Sequence, residues 1–175
     1  MTQLGLRYQL GDGVKQDWTE AEKWYLKAAN LGDGEAMSML GTCYEYKFRL
    51  RIAQEAEAQG LTRPNLGNSD KAKELVLAVD WFRKAASKGN STGMFKLGSC
   101  YDDGWGVAKD ETEAVKWYQS AVKAGSSAAM CNLGYRYWQG RGVKQDKAQA
   151  EKLWRKSASM GDEGGKMALK EVGLK

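Results

Sequence analysis

The chain has 175 residues, 27 Lys and Arg against 22 Asp and Glu, a formal net charge of +5, and no histidine at all. The missing histidine excludes every histidine-based triad and every histidine-ligated metal site. A single proline, 42% hydrophobic residues and no apolar run near the roughly 18 residues of a membrane span argue against disorder and against membrane insertion.

Read in chain order, one pattern recurs. Leu4-Gly5, Leu40-Gly41, Leu97-Gly98 and Leu133-Gly134 follow at spacings of 36, 57 and 36, so a 36-residue unit carries one insertion of 21 residues in its second copy. Tyr8, Tyr44, Tyr101 and Tyr137 hold the same register, as do Tyr25, Phe82, Tyr118 and Trp154. A period in the thirties is the signature of a helical solenoid, in which a unit buries its apolar face only by stacking on its neighbours.

The first unit, 1–32, begins only three residues before Leu4 and reads as clipped. A removed upstream signal would place the protein in a bacterial periplasm or cell envelope, and otherwise it would be cytoplasmic. The second unit, 33–89, lacks the turn glycines of the others. From Glu45 to Gln59 it has no helix breaker, so its first helix should run on to about Gln59. Pro64 and Asn65 then mark a reversal, within an insertion around 47–69, and a second helix should run from near Asp70 to Lys88. This predicts a helical hairpin about 20 Å longer than the other units. Tyr44, Phe48 and Ile52 would face Leu75, Val76 or Val79, and Lys47, Arg49, Arg51 and Arg63 would leave the hairpin basic.

The third unit, 90–125, is the most regular. Met94, Leu97, Gly98 and Tyr101 form the apolar stripe of a first helix, which ends in Asp103-Gly104-Trp105-Gly106-Val107. Asp110 with Glu113 has the spacing of a capping box and opens a second helix, on which Ala114, Trp117, Tyr118 and Ala121 alternate small and large. Asp17 with Glu20, and Asp146 with Gln149 in the fourth unit, 126–161, repeat the cap. The last stretch, 162–175, keeps Leu169 but puts Lys170 where the glycine stood, as suits a capping helix. Cys43, Cys100 and Cys131 are odd in number and have no C-x-x-C spacing, so they read as packing residues.

The string L-G-x-x-Y, G-x-G-V, D, A-x-x-W-Y-x-x-A-A and a closing glycine resembles the Sel-one-like repeat family, relatives of the tetratricopeptide repeats. The resemblance implies an all-α fold: one right-handed α/α superhelical solenoid of about four repeats with a C-terminal capping helix and an extended hairpin in the second repeat. It also implies an adaptor or scaffold. A cysteine-rich branch of the family has been linked to β-lactam binding, but its paired cysteines are missing here, and that activity is not carried over.

The sequence bears on three function classes. No G-x-S-x-G, phosphate loop or dinucleotide fingerprint supports an enzyme, and no cofactor is indicated. The lysines of the second helices are interleaved with glutamates, the pattern of a solvated face, and no motif reads nucleic acid. Protein binding remains, with a monomer favoured but the oligomeric state not fixed by the sequence. One candidate surface is the concave face, with Tyr46, Phe95, Asp102, Asp103, Asn132, Tyr135 and Trp138 by register, beside Glu45, Lys96 and Ser99. Phe95 and Trp138 are its expected anchors. The other surface is the hairpin with Lys47, Arg49, Arg51 and Arg63. Alternative versions are an immunity protein that covers the active site of a secreted, phospholipase-type toxin of a type VI system, and a cell-envelope adaptor or regulator.

Overall fold

A computed structural model describes residues 1–60 and 72–174. Among the described residues there are nine helices and no strand: α1 (Thr2–Leu10), α2 (Trp18–Asn30), α3 (Gly34–Ala58), α4 (Lys73–Ser87), α5 (Ser91–Asp103), α6 (Glu111–Lys123), α7 (Ser127–Gln139), α8 (Lys147–Ser159) and α9 (Glu163–Glu171). Each helix packs on the next, and first helices also touch across repeats, α3 on α5 and α7 on α9. The result is the all-α repeat solenoid that the periodicity predicts. None of these helices is long and apolar enough to cross a membrane.

The turn between paired helices follows from two glycines and one aspartate. Gly104 and Gly106 have φ of 77° and 69°, a region that side chains with a Cβ resist. Asp110 then caps α6 by accepting from the N–H groups of Thr112 and Glu113, both at 2.9 Å. Only half of the expected capping box forms. The Asp110 N–H donates to the Tyr101 carbonyl on α5 at 2.8 Å, so the cap is tied to the preceding helix. The Asp17 and Asp146 N–H groups bond the Tyr8 and Tyr137 carbonyls in the same way.

The glycine column is a set of sockets. A Cβ on Gly98 would lie 2.7 Å from the Tyr118 ring, and Gly5, Gly41 and Gly134 are closed in the same manner by Tyr25, Phe82 and Trp154. Each ring is at most 1% exposed. A Gly98→Ala variant should therefore be less stable, because overpacking costs about 1–3 kcal/mol against a helix-propensity gain of at most about 1 kcal/mol. The check is the urea midpoint, and an unchanged or raised midpoint would refute the socket. In α9 the socket position is Lys170, which is exposed.

The second repeat departs from this plan as the sequence predicts. α3 has 25 residues against 13 in α5 and α7, so it runs about 18 Å farther. Its added length is held by Phe48 and Ile52, buried with Leu75 of α4 and packed against Trp105. Tyr44 packs beside Val79. Val76, expected to share this seam, is 39% exposed, since it sits one position off the buried stripe of α4. The expected loop around Pro64 and Asn65, and Arg63 within it, lie outside the described residues.

Candidate functional site

Where α3, α4 and α5 meet the turn after α5, a cleft of about 220 Å³ opens. Leu75, Ala78, Phe82 and Cys100 form its apolar lining, Phe95 and Trp105 its aromatic walls, and Glu45, Arg49, Lys96, Ser99 and Asp103 its polar border. The cleft exists because α3 is long. In the fourth repeat the turn residue Arg141 pairs with Glu111 at the start of α6, whereas the third repeat has Trp105 at that position. Its ring lies 6.3 Å from that of Phe48, under the Arg49 guanidinium at 4.8 Å. Gly106 lets the same turn lie directly on the Leu75 carbonyl, where a Cβ would collide.

The border charges largely satisfy one another. Glu45, only 14% exposed at its side chain, accepts from Lys96 at 2.9 Å and from Arg49 at 3.0 Å. Asp103 is different: among the described residues it has no ion-pair or hydrogen-bond partner. Though exposed, its carboxyl is nudged above the usual carboxylate value, first by partial desolvation among its neighbours and second by the adjacent Asp102. Cys100 is buried, which pushes its thiol up to about 12. It is thus neutral lining at neutral pH and not an activated nucleophile.

Of the concave residues expected from register, the cleft brings together Phe95 and Asp103 with Glu45, Lys96 and Ser99. Of the others Asp102 is buried, and Tyr46, Asn132, Tyr135 and Trp138 are half-exposed with partners inside the chain. Tyr46 is stacked on Trp18 at the start of α2, ring centroids 4.0 Å apart and planes at 12°, because α3 packs on α2 at this level. Asp102 is 7% exposed and pairs with Arg136, while the Tyr118 hydroxyl donates to it at 3.3 Å. Asn132 donates to the Tyr118 oxygen at 3.4 Å, in the same network. Tyr135 donates to Glu171 of α9 at 3.0 Å and meets Trp154 edge-on. Trp138, an expected anchor, lies 5.5 Å from the buried Trp154 ring, with Lys147 over its face. It is half-exposed and packs against the C-terminal core cluster.

The hairpin cations are likewise engaged by this chain's own carboxylates. Lys47 pairs with Glu22, Arg49 with Glu45, and Arg51 with Glu55 and Glu74, each of the last two at 2.8 Å. Arg51 also lies over Phe48. The residue that register reasoning passed over is Trp105, taken as part of a turn. A signal was present: Asp12 and Arg141 occupy its position in the other turns, so an aromatic there breaks a polar column. Leu75, Phe82 and Cys100 gave no such signal, being indistinguishable from ordinary core.

Comparison with known proteins agrees with this architecture. The family model described as Sel1 repeat matches residues 1–33, 34–46, 67–90, 91–126 and 127–162, breaking off where α3 outruns the other first helices. Among solved structures, a protective antigen of uropathogenic Escherichia coli displaying an SLR fold is 34% identical with a TM-score of 0.70. The match covers 99% of this chain and 34% of that one. A Sel1 repeat protein from Oxalobacter formigenes is 30% identical with a TM-score of 0.67, covering 99% of this chain and 65% of that one. The cysteine rich protein B of Helicobacter pylori, 24% identical with a TM-score of 0.55, is alike in fold over 91% of this chain and 99% of its own. The chain thus spans about a third of the first relative and under two thirds of the second. A search of curated proteins finds no match.

Proposed function

The chain belongs to the Sel1 repeat family, whose members are generally protein-interaction modules, and from that premise we propose that it is a non-catalytic module that holds a protein partner where its concave face meets the long hairpin of repeat two. The observation that carries this reading is the cleft built by Phe95, Trp105 and the end of α3. It is apolar at the bottom and polar at the rim, the arrangement in which a few central contacts supply most of the binding energy while their surroundings exclude water. It also joins the two surfaces that register and insertion single out separately.

A hairpin acting alone has less support. Lys47, Arg49 and Arg51 already have carboxylate partners in this chain, which an acidic partner would have to displace. Of the described hairpin residues the toxin-inhibitor version would use, only Arg49 borders the cleft.

The test is site-specific photocrosslinking from position 96 in the native bacterium, followed by affinity measurement on the protein captured. Phe95→Ala combined with Trp105→Ala should weaken binding by about 2 kcal/mol or more. Lys123→Ala, on the exposed side of α6, should leave it unchanged. Undiminished affinity in the double variant would refute the cleft as the binding surface. Replacing 47–69 by a short glycine turn removes the wall against which Trp105 packs and should have a comparable effect.

A further inference from the structure

We infer that the cleft between repeats two and three is an anchor pocket for one aromatic side chain with a hydrogen-bonding tip, tryptophan or tyrosine, presented by the protein partner. The inference rests on the reading of the chain as a protein-binding module and adds the chemistry of what it binds.

Size is the first argument. At about 220 Å³ the cleft is below the range of roughly 300–1,000 Å³ typical of cofactor and drug-sized sites, and it suits a single large side chain. Charge is the second. Glu45 and Asp103 balance Arg49 and Lys96, and Glu45 is already shared between both cations, so the border offers no net attraction to an ionic group. An uncharged occupant is favoured, because a charged one would be desolvated without a counter-charge to meet it.

Asp103 then selects among uncharged side chains. It is the acidic group of the border without an ion pair among the described residues, and an occupant seated between Phe95 and Trp105 would cover it. A leucine or phenylalanine would strip water from that carboxylate and return nothing. An indole N–H or a phenol O–H would donate to it instead, a hydrogen bond worth more for having a charged acceptor. The Phe95 and Trp105 rings add the offset and edge-on contacts that aromatic groups favour.

The experiment is an NMR titration of the isotope-labelled chain with N-acetyl-L-tryptophanamide and N-acetyl-L-tyrosinamide, beside the phenylalanine, leucine and lysine counterparts. The first two should shift the backbone amide signals of Lys96, Ser99, Cys100 and Trp105 and bind about tenfold more tightly than the phenylalanine compound. Asp103→Ala should abolish that preference, weakening the first two compounds and strengthening the phenylalanine compound, which then covers no carboxylate. Ser99→Met, which fills the cleft from within, should eliminate all binding there; if this variant does not fold, the probe series on the unaltered chain still decides. Equal binding of the leucine or lysine compound, or shifts confined to other repeats, would overturn the inference.

Selection of random phage-displayed peptides on the immobilised chain separates the two readings. Peptides with tryptophan or tyrosine that Ser99→Met rejects support both. Cleft-binding peptides without either residue overturn the anchor and leave the protein-binding reading standing. A selection that yields no cleft-binding peptide counts against both.

Discussion

Arg136→Met is expected to destabilise the protein by about 3–5 kcal/mol, the cost of breaking a buried ion pair from one side. Arg136 and Asp102 are 13% and 8% exposed at their side chains, and they pair across repeats three and four. With the guanidinium gone, the Asp102 carboxylate would stay buried with the Tyr118 hydroxyl at 3.3 Å as its remaining donor. The pair is incompletely satisfied even in the native chain: Asp102 Oδ1 and Arg136 Nε and Nη1 are buried with no partner among the described residues. A double variant, Asp102→Leu with Arg136→Met, should therefore recover most of the loss, since well-packed apolar replacements of buried ion pairs are often neutral or better. Urea unfolding of both single variants and the double variant completes the cycle. Additive losses would mean that the two residues do not act on each other.

Trp154→Ala should cost a similar amount, about 3–5 kcal/mol for truncating a large buried aromatic, and its damage should be local. Trp154 is fully buried in the Gly134 socket, donates from Nε1 to the Cys131 carbonyl at 3.1 Å, and packs with Ala168 and Leu169 of α9. Tyr135 and Trp138 lean on the same ring. Because a solenoid is stabilised by nearest-neighbour interfaces, losing this ring should release α9 before the rest. Amide hydrogen exchange in Glu163–Glu171 should accelerate well beyond that in α5 and α6. Uniform acceleration throughout the chain would contradict the repeat-by-repeat account.

The two variants also mark where sequence reasoning succeeded and where it failed. The ring columns and their glycine sockets were legible because every unit repeats them, and the long α3 was legible because it breaks the repeat. Trp154 was rightly read as core on that basis. Asp102 was not: register puts it on the concave face, but it takes a counter-charge 34 residues away to make it a buried strut. Trp138 misled for the same reason. Its register suggests an open anchor, yet the tryptophan in the socket beneath is larger than the tyrosine or phenylalanine of the other repeats, and Trp138 packs on it.

Family, fold and the position of the insertion were therefore determined by the sequence alone, because they depend on local spacing: period, turn glycines, caps and helix propensity all act within one unit. Which exposed-looking side chains remain available was decided only by the tertiary structure. Pairings such as Asp102 with Arg136, Lys47 with Glu22 and Arg49 with Trp105 depend on how helices of different repeats approach, at distances that no single unit encodes. Those approaches give most of the predicted surface residues a partner within the chain while leaving them half-exposed or exposed, and they build the cleft beside Trp105, where a helix twice the usual length meets a turn.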